Sequence, residues 1–144
     1  MALLDQRTIR LNAQYTDKSQ AIRDVGRLLV EAGKVAPEYV EKMIAREALA
    51  TTYVGNGVAV PHGTKDSLVF VKSTGLAVVQ VPGGVDFGNG NRARLLVGIA
   101  AQGDEHLELL TTIAEVCSDD ERLERLIHAP DAVAVLAELA MGEA

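Results

Sequence analysis

The longest clean apolar run in this 144-residue chain, Leu95 to Ala101 (LLVGIAA), carries no charge and has Gly98 inside it. It falls far short of the ~20 residues needed to span a bilayer as a helix. Bounded by the glycine- and asparagine-rich stretch before it and polar residues after it, the segment Arg94 to Ala100 reads as a strand apolar almost throughout, as a central strand is. A second β-like segment, Gly75 to Val81, precedes it, and PGGVDFGNGN joins the two with glycines that permit tight turning.

The rest of the chain is read around those strands. Thr8 to Ala13 alternates, with Ile9, Leu11 and Ala13 on one side, which suits an opening strand. Asp17 is placed as an N-cap, with Gln20 to close a capping box. The following helix carries Ile22, Val25, Leu28, Leu29 and Ala32 on one face and stops at Gly33. Pro37 opens a second helix with a Val40, Met43, Ile44 stripe and Arg46 near its end. Val58 to Val60 is a short strand pattern running into Pro61 and His62. From Asp104 the period turns helical, with Leu107, Leu110, Ile113, Ala114 and Cys117 aligned. A further helix starts near Asp119 or Asp120 and buries Leu123, Leu126 and Ile127 until Pro130. A last one carries Val133, Leu136, Leu139 and Ala140. Strands interleaved with helices, then helices alone, predict an α/β fold: a mixed sheet between helical layers, one domain over 1–144.

Composition excludes several functions. Twenty acidic against 14 basic side chains give a net charge of −6, which repels a phosphate backbone, and the three Tyr and two Phe offer few stacking platforms, so nucleic acid is not an expected partner. MALLDQRTIR has no basic segment leading into a long hydrophobic core, and the lone Cys117 can form no internal disulfide; a cytoplasmic chain without membrane insertion is the expectation. Neither GNG continues into GxGxxG and no GK[ST] follows, so the glycine clusters read as turns.

Three histidines remain. His128 lies in a last helical turn before Pro130, a place for carbonyl and dipole contacts. His106, in a first turn, is expected to stay neutral there and to cap or donate one hydrogen bond. His62 follows a proline at a strand end, in a Gly-flanked loop where a side chain can face solvent. As a metal ligand it lacks a second His or Cys at ligand spacing; as a base for a nucleophile it lacks a GxSxG elbow, and Cys117 belongs to an apolar stripe. As a nucleophile toward phosphorus its neutral ring is suited, provided phosphate binders surround it. Arg46 is an ordinary helix-end cation whose planar fork also suits a phosphoryl group.

Taken together, PEYVEKMIARE, TTYVGNGVAVPHGT, LLVGIAA and DEHLELL resemble, in order and spacing and over nearly the whole chain, the EIIA domain of the mannitol/fructose branch of the bacterial phosphotransferase system. Gly63-Thr64 after the histidine resembles the mannitol type, and the chain resembles a stand-alone subunit. The resemblance implies a five-stranded mixed sheet flanked by helices on both faces. It implies that His62 accepts a phosphoryl group from the phosphohistidine of HPr through Nε2 and passes it to a cysteine of an EIIB domain during uptake of mannitol or a related sugar. It places His106 as a hydrogen-bonding stabiliser and Arg46 as charge compensation. Gly63, Thr64 and the helix start near Asp104 are candidate further oxygen donors, and a shallow depression with an apolar rim is expected, with no cofactor and no metal. The rival expectations are a regulatory phospho-acceptor module that controls a protein partner and, more distantly, a small hydrolase with a metal held by His62 and His106.

Overall fold

The computed structural model describes residues 4–102 and 105–139. Its sheet has five strands, β1 (Ile9–Arg10), β2 (Tyr53–Gly55), β3 (Val58–Ala59), β4 (Gly75–Asp86) and β5 (Arg92–Ala100), in the order β1-β4-β5-β3-β2. β4 and β5 pair antiparallel, as do β2 and β3, whereas β1 runs parallel to β4 and β3 parallel to β5. The sheet is mixed, and its long antiparallel pair, β4 and β5, is built from the two β-like segments read from the sequence.

Period-two alternation sends the side chains of those strands into two separate cores. Leu76, Val78, Leu95, Val97 and Ile99 face one way, against α3 (Glu105–Cys117), α4 (Asp120–Ile127) and α5 (Ala132–Leu139). Ala77, Val79, Val81, Leu96 and Ala100 face the other way, against α1 (Lys18–Glu31) and α2 (Glu38–Leu49). Gly98 belongs to the second face, and α1 packs so closely there that a Cβ at this position would overlap the Val25 side chain.

Capping sets the helix ends. Asp17 accepts the Gln20 N–H at 2.8 Å, while the Gln20 side chain reaches back to Thr16 N–H at 2.7 Å, so the reciprocal half of the expected capping box falls one residue early. Gly33 at φ 76° ends α1 as expected. Asp119 accepts from Glu121 and Arg122 to start α4, and Asp131 accepts from Ala134 N–H at 2.9 Å as α5 begins.

Several expectations are corrected. The opening strand shrinks to Ile9–Arg10, because Asp5 caps a 3-10 turn over Gln6–Thr8 and Asn12 turns left-handed at φ 51°. β4 continues past Val81 through Pro82, Gly83 and Gly84 to Asp86, accommodated by a register shift between Gln80 and Val85. A hairpin turn of Asn56 and Gly57, both at positive φ, creates β2, which alternation alone did not signal. Lys65–Phe70 forms an unexpected 3-10 helix.

In α3 the chain carries two overlapping apolar stripes, and packing selects Leu109, Ile113, Val116 and Cys117; Leu107 is 68% exposed and Ala114 is also outside the core. In α5 the buried residues are Val135 and Leu139 rather than Val133, which is 64% exposed. Asp104 and Ala140 lie outside the described residues. In α2, Val40 and Ile44 are half-buried, and Tyr39, Met43 and Glu47 form the buried face.

Candidate active site

β3 and β5 are adjacent and parallel, so the residues that follow them emerge at the same end of the sheet, a usual location for sites in open α/β sheets. His62 follows β3; His106 is the second residue of α3, the helix that follows β5. Their ring centroids are 4.7 Å apart, tilted by 52°. Both line a depression of about 850 Å³, together with Arg46, Gly63, Thr64, Tyr39 and Ser67.

Each group is held differently. Pro61 accepts the Ile99 N–H at 2.9 Å, which pins the residue before His62 to the sheet. His62 Nδ1 lies 2.8 Å from the Val60 carbonyl oxygen and, as the N–H tautomer, donates to it, leaving Nε2 as the ring nitrogen not spent on the backbone. Burial pushes the His62 pKa below its ordinary value; the Val60 bond opposes this, and the charges of His106 and Arg46 reinforce it. His106 is lowered too, first by burial and then by Arg46. Its Nε2 is buried and has no hydrogen-bond partner among the described residues. Because an unpaired buried polar atom costs free energy, this one is suited to a ligand oxygen. Arg46 comes from the last turn of α2, gives one N–H to the Ala50 carbonyl at 2.6 Å and lines the depression.

Gly63 and Thr64 line the depression as expected, but their donors are already engaged: the Gly63 N–H with the Tyr39 hydroxyl at 2.9 Å, and the Thr64 hydroxyl with the Asp66 carboxylate. Gly63 has a packing role instead. A Cβ there would sit 2.6 Å from Tyr39 Cε1 and would overlap the Ser67 hydroxyl. The helix start near Asp104 lies outside the described residues. Exposed Leu49 and Leu68 supply an apolar rim, and Leu107, beside His106, is also exposed.

The other histidine and the cysteine stand apart from the site. His128 Nε2 is 3.2 Å from an Arg94 nitrogen and 3.5 Å from Glu124, a surface cluster at the end of α4. Cys117 is buried in the core, and burial pushes its thiol up to about 11. No three His, Cys, Asp or Glu side chains are gathered as a metal site among the described residues.

Two residues near the site were missed from the sequence. Glu47 is buried, accepts the Thr52 N–H and hydroxyl at 2.8 and 2.7 Å, and pairs with Lys18 at 3.1 Å. Burial works against its charge, but the hydroxyl, amide and lysine bonds win and hold its carboxyl below the usual range. Tyr39, 4% exposed, bridges α2 to the His62 loop. Their spacing with Met43, i, i+4 and i+8, was the available signal, overlooked because one member is charged.

The family model described as "Phosphoenolpyruvate-dependent sugar phosphotransferase system, EIIA 2" matches residues 2–141. A mannitol-specific phosphotransferase enzyme IIA component of Geobacillus stearothermophilus is 49% identical over 90% of this chain and 89% of its own length. The component of the same name from Bacillus subtilis is 40% identical, covering 90% of each. The fold matches the enzyme IIAMTL structure from Escherichia coli, solved in complex with phosphorylated enzyme IIBMTL, with a TM-score of 0.90 at 40% identity, covering 95% of this chain and 96% of that one. The chain belongs to the EIIA family of the phosphoenolpyruvate-dependent sugar phosphotransferase system.

Proposed function

We propose that the protein is a phosphoryl carrier for uptake of mannitol or a related sugar, taking the group from phosphorylated HPr onto His62 and handing it to a cysteine of an EIIB domain. The observation that carries this is the His62 ring, with one nitrogen tied to the Val60 carbonyl and the other left for chemistry beside His106 and Arg46. The Escherichia coli relative, solved together with phosphorylated enzyme IIBMTL, supports the choice of acceptor. As such a carrier the chain works in the cytoplasm, where its lone buried cysteine suits a reducing compartment. No described helix is long and apolar enough to cross a membrane.

The Nε2 lone pair attacks the phosphorus of the donor phosphohistidine, the donor's P–N bond breaks, and its electrons return to the donor ring. The proton on Nδ1 stays where it is, and the positive charge that the His62 ring acquires is stabilised by the Val60 carbonyl. In the second step a cysteine thiolate attacks phosphorus and the His62 P–N bond breaks, restoring the neutral ring. Such transfers need in-line positioning and charge on the equatorial oxygens met by fixed donors. Arg46 and the buried His106 Nε2 are those donors. The exposed leucines of the rim suit a small, transient contact with two successive partners. His62→Ala is expected to abolish labelling by phosphorylated HPr; a His62→Ala protein that still takes up the label contradicts the assignment.

A further inference from the structure

In a parallel ladder each residue in a bridge position is flanked by two rungs, one on each side. His62 bridges Ile99 in this way, and the first rung is present, Ile99 N–H to the Pro61 carbonyl at 2.9 Å. The second rung of a regular ladder would run from Gly63 N–H to the Ile99 carbonyl. The Tyr39 hydroxyl stands in that place: it accepts the Gly63 N–H at 2.9 Å and donates to the Ile99 carbonyl at 2.9 Å. We infer that Tyr39 is a positioning residue, whose phenol is inserted into the ladder as a spacer that ends strand pairing at His62 and fixes the ring's direction into the depression.

Three further observations bear on this. The Tyr39 side chain is buried, and burial pushes its phenol pKa up, so it remains a protonated donor throughout the working range. Gly63 is packed against the Tyr39 ring, with no room for a Cβ between them. Tyr39 and Arg46 share α2, about 10 Å apart along its axis, so the helix that delivers the guanidinium also sets the backbone after the histidine. Without the hydroxyl, the loop either zips one rung further onto β5 or leaves the buried Ile99 carbonyl and the half-buried Gly63 N–H without this partner, and in both cases His62 loses its present aim.

This inference rests on the carrier reading, and the experiment separates the two. Tyr39→Phe keeps the ring and removes only the bridging oxygen. With phosphorylated HPr as donor, it is expected to lower the saturating rate of phosphoryl acceptance about tenfold or more while leaving the half-saturating donor concentration near the wild-type value. A merely structural loss would lower the active fraction instead, leaving the rate per folded molecule unchanged. In the wild-type protein, NMR is expected to show a slowly exchanging Tyr39 hydroxyl proton close to the Gly63 amide, a result that does not depend on the variant folding. An unchanged saturating rate in folded Tyr39→Phe, or no such hydroxyl proton in wild type, overturns the inference while leaving the carrier function standing. Labelling of His62→Ala would overturn the carrier function itself.

Discussion

At the scale of single residues, burial favours the neutral form of two imidazoles whose ring centroids lie 4.7 Å apart. Burial lowers the pKa of both His62 and His106, so the unfolded chain binds more protons than the folded one as pH drops below the usual histidine value of 6.5. Their contribution to stability is therefore full above about pH 6.5 and is lost as pH falls through the lowered folded values. The His62 ring favours its unprotonated form over the same window. The acid limb of phosphoryl acceptance should accordingly lie below pH 6.5 in a rate profile with phosphorylated HPr; a limb above that value would contradict the burial argument. His62 was singled out by its Gly-flanked loop, whereas His106 and Arg46 read by themselves as an ordinary first-turn histidine and helix-end arginine and were tied to it by the family resemblance; the structure gathers all three at one depression. Tyr39 and Glu47 were not legible. One aromatic and one carboxylate on an amphipathic helix look like ordinary core and surface residues until their partners, Gly63 and Thr52, are seen beside them.

Among the elements, the central pair β4 and β5 and the cores of α1 and α4 follow directly from hydrophobic period and caps. β3 was read from its short apolar run. What was not legible has physical reasons: β2 is too short to show alternation and depends on the Asn56-Gly57 turn, while α3 and α5 each offer rival apolar stripes that only packing decides. Exposed Leu107 is the product of that choice, set near the site rather than in the core. Gly98 gives the sharpest test at this scale. Gly98→Ala forces a methyl into the Val25 side chain and should cost roughly 1–3 kcal/mol, read as a lower urea midpoint. A midpoint equal to wild type would mean that α1 does not sit so close to the sheet.

For the whole molecule, topology does the gathering. α2 brings Arg46, the parallel pairing of β3 with β5 brings the ends that carry His62 and His106 to one edge, and a depression with an apolar rim results. Such a surface can meet a donor and an acceptor in turn, provided the phosphoryl group leaves as readily as it arrives. His106 Nε2 is buried without a hydrogen-bond partner among the described residues; if it steadies the group in transit as proposed, His106→Ala should slow transfer to an EIIB cysteine more than it slows labelling by phosphorylated HPr. Equal slowing of both steps would show that His106 acts on the pocket as a whole.

The most direct measurement follows the phosphoryl group itself. The protein is labelled with phosphorylated HPr, the modified residue is mapped by mass spectrometry, and the label is then chased with a mannitol-type EIIB domain. The account predicts one acid-labile phosphoryl group on His62 that moves rapidly to the EIIB cysteine. A label on another residue, or one that stays on His62 through the chase, would contradict it.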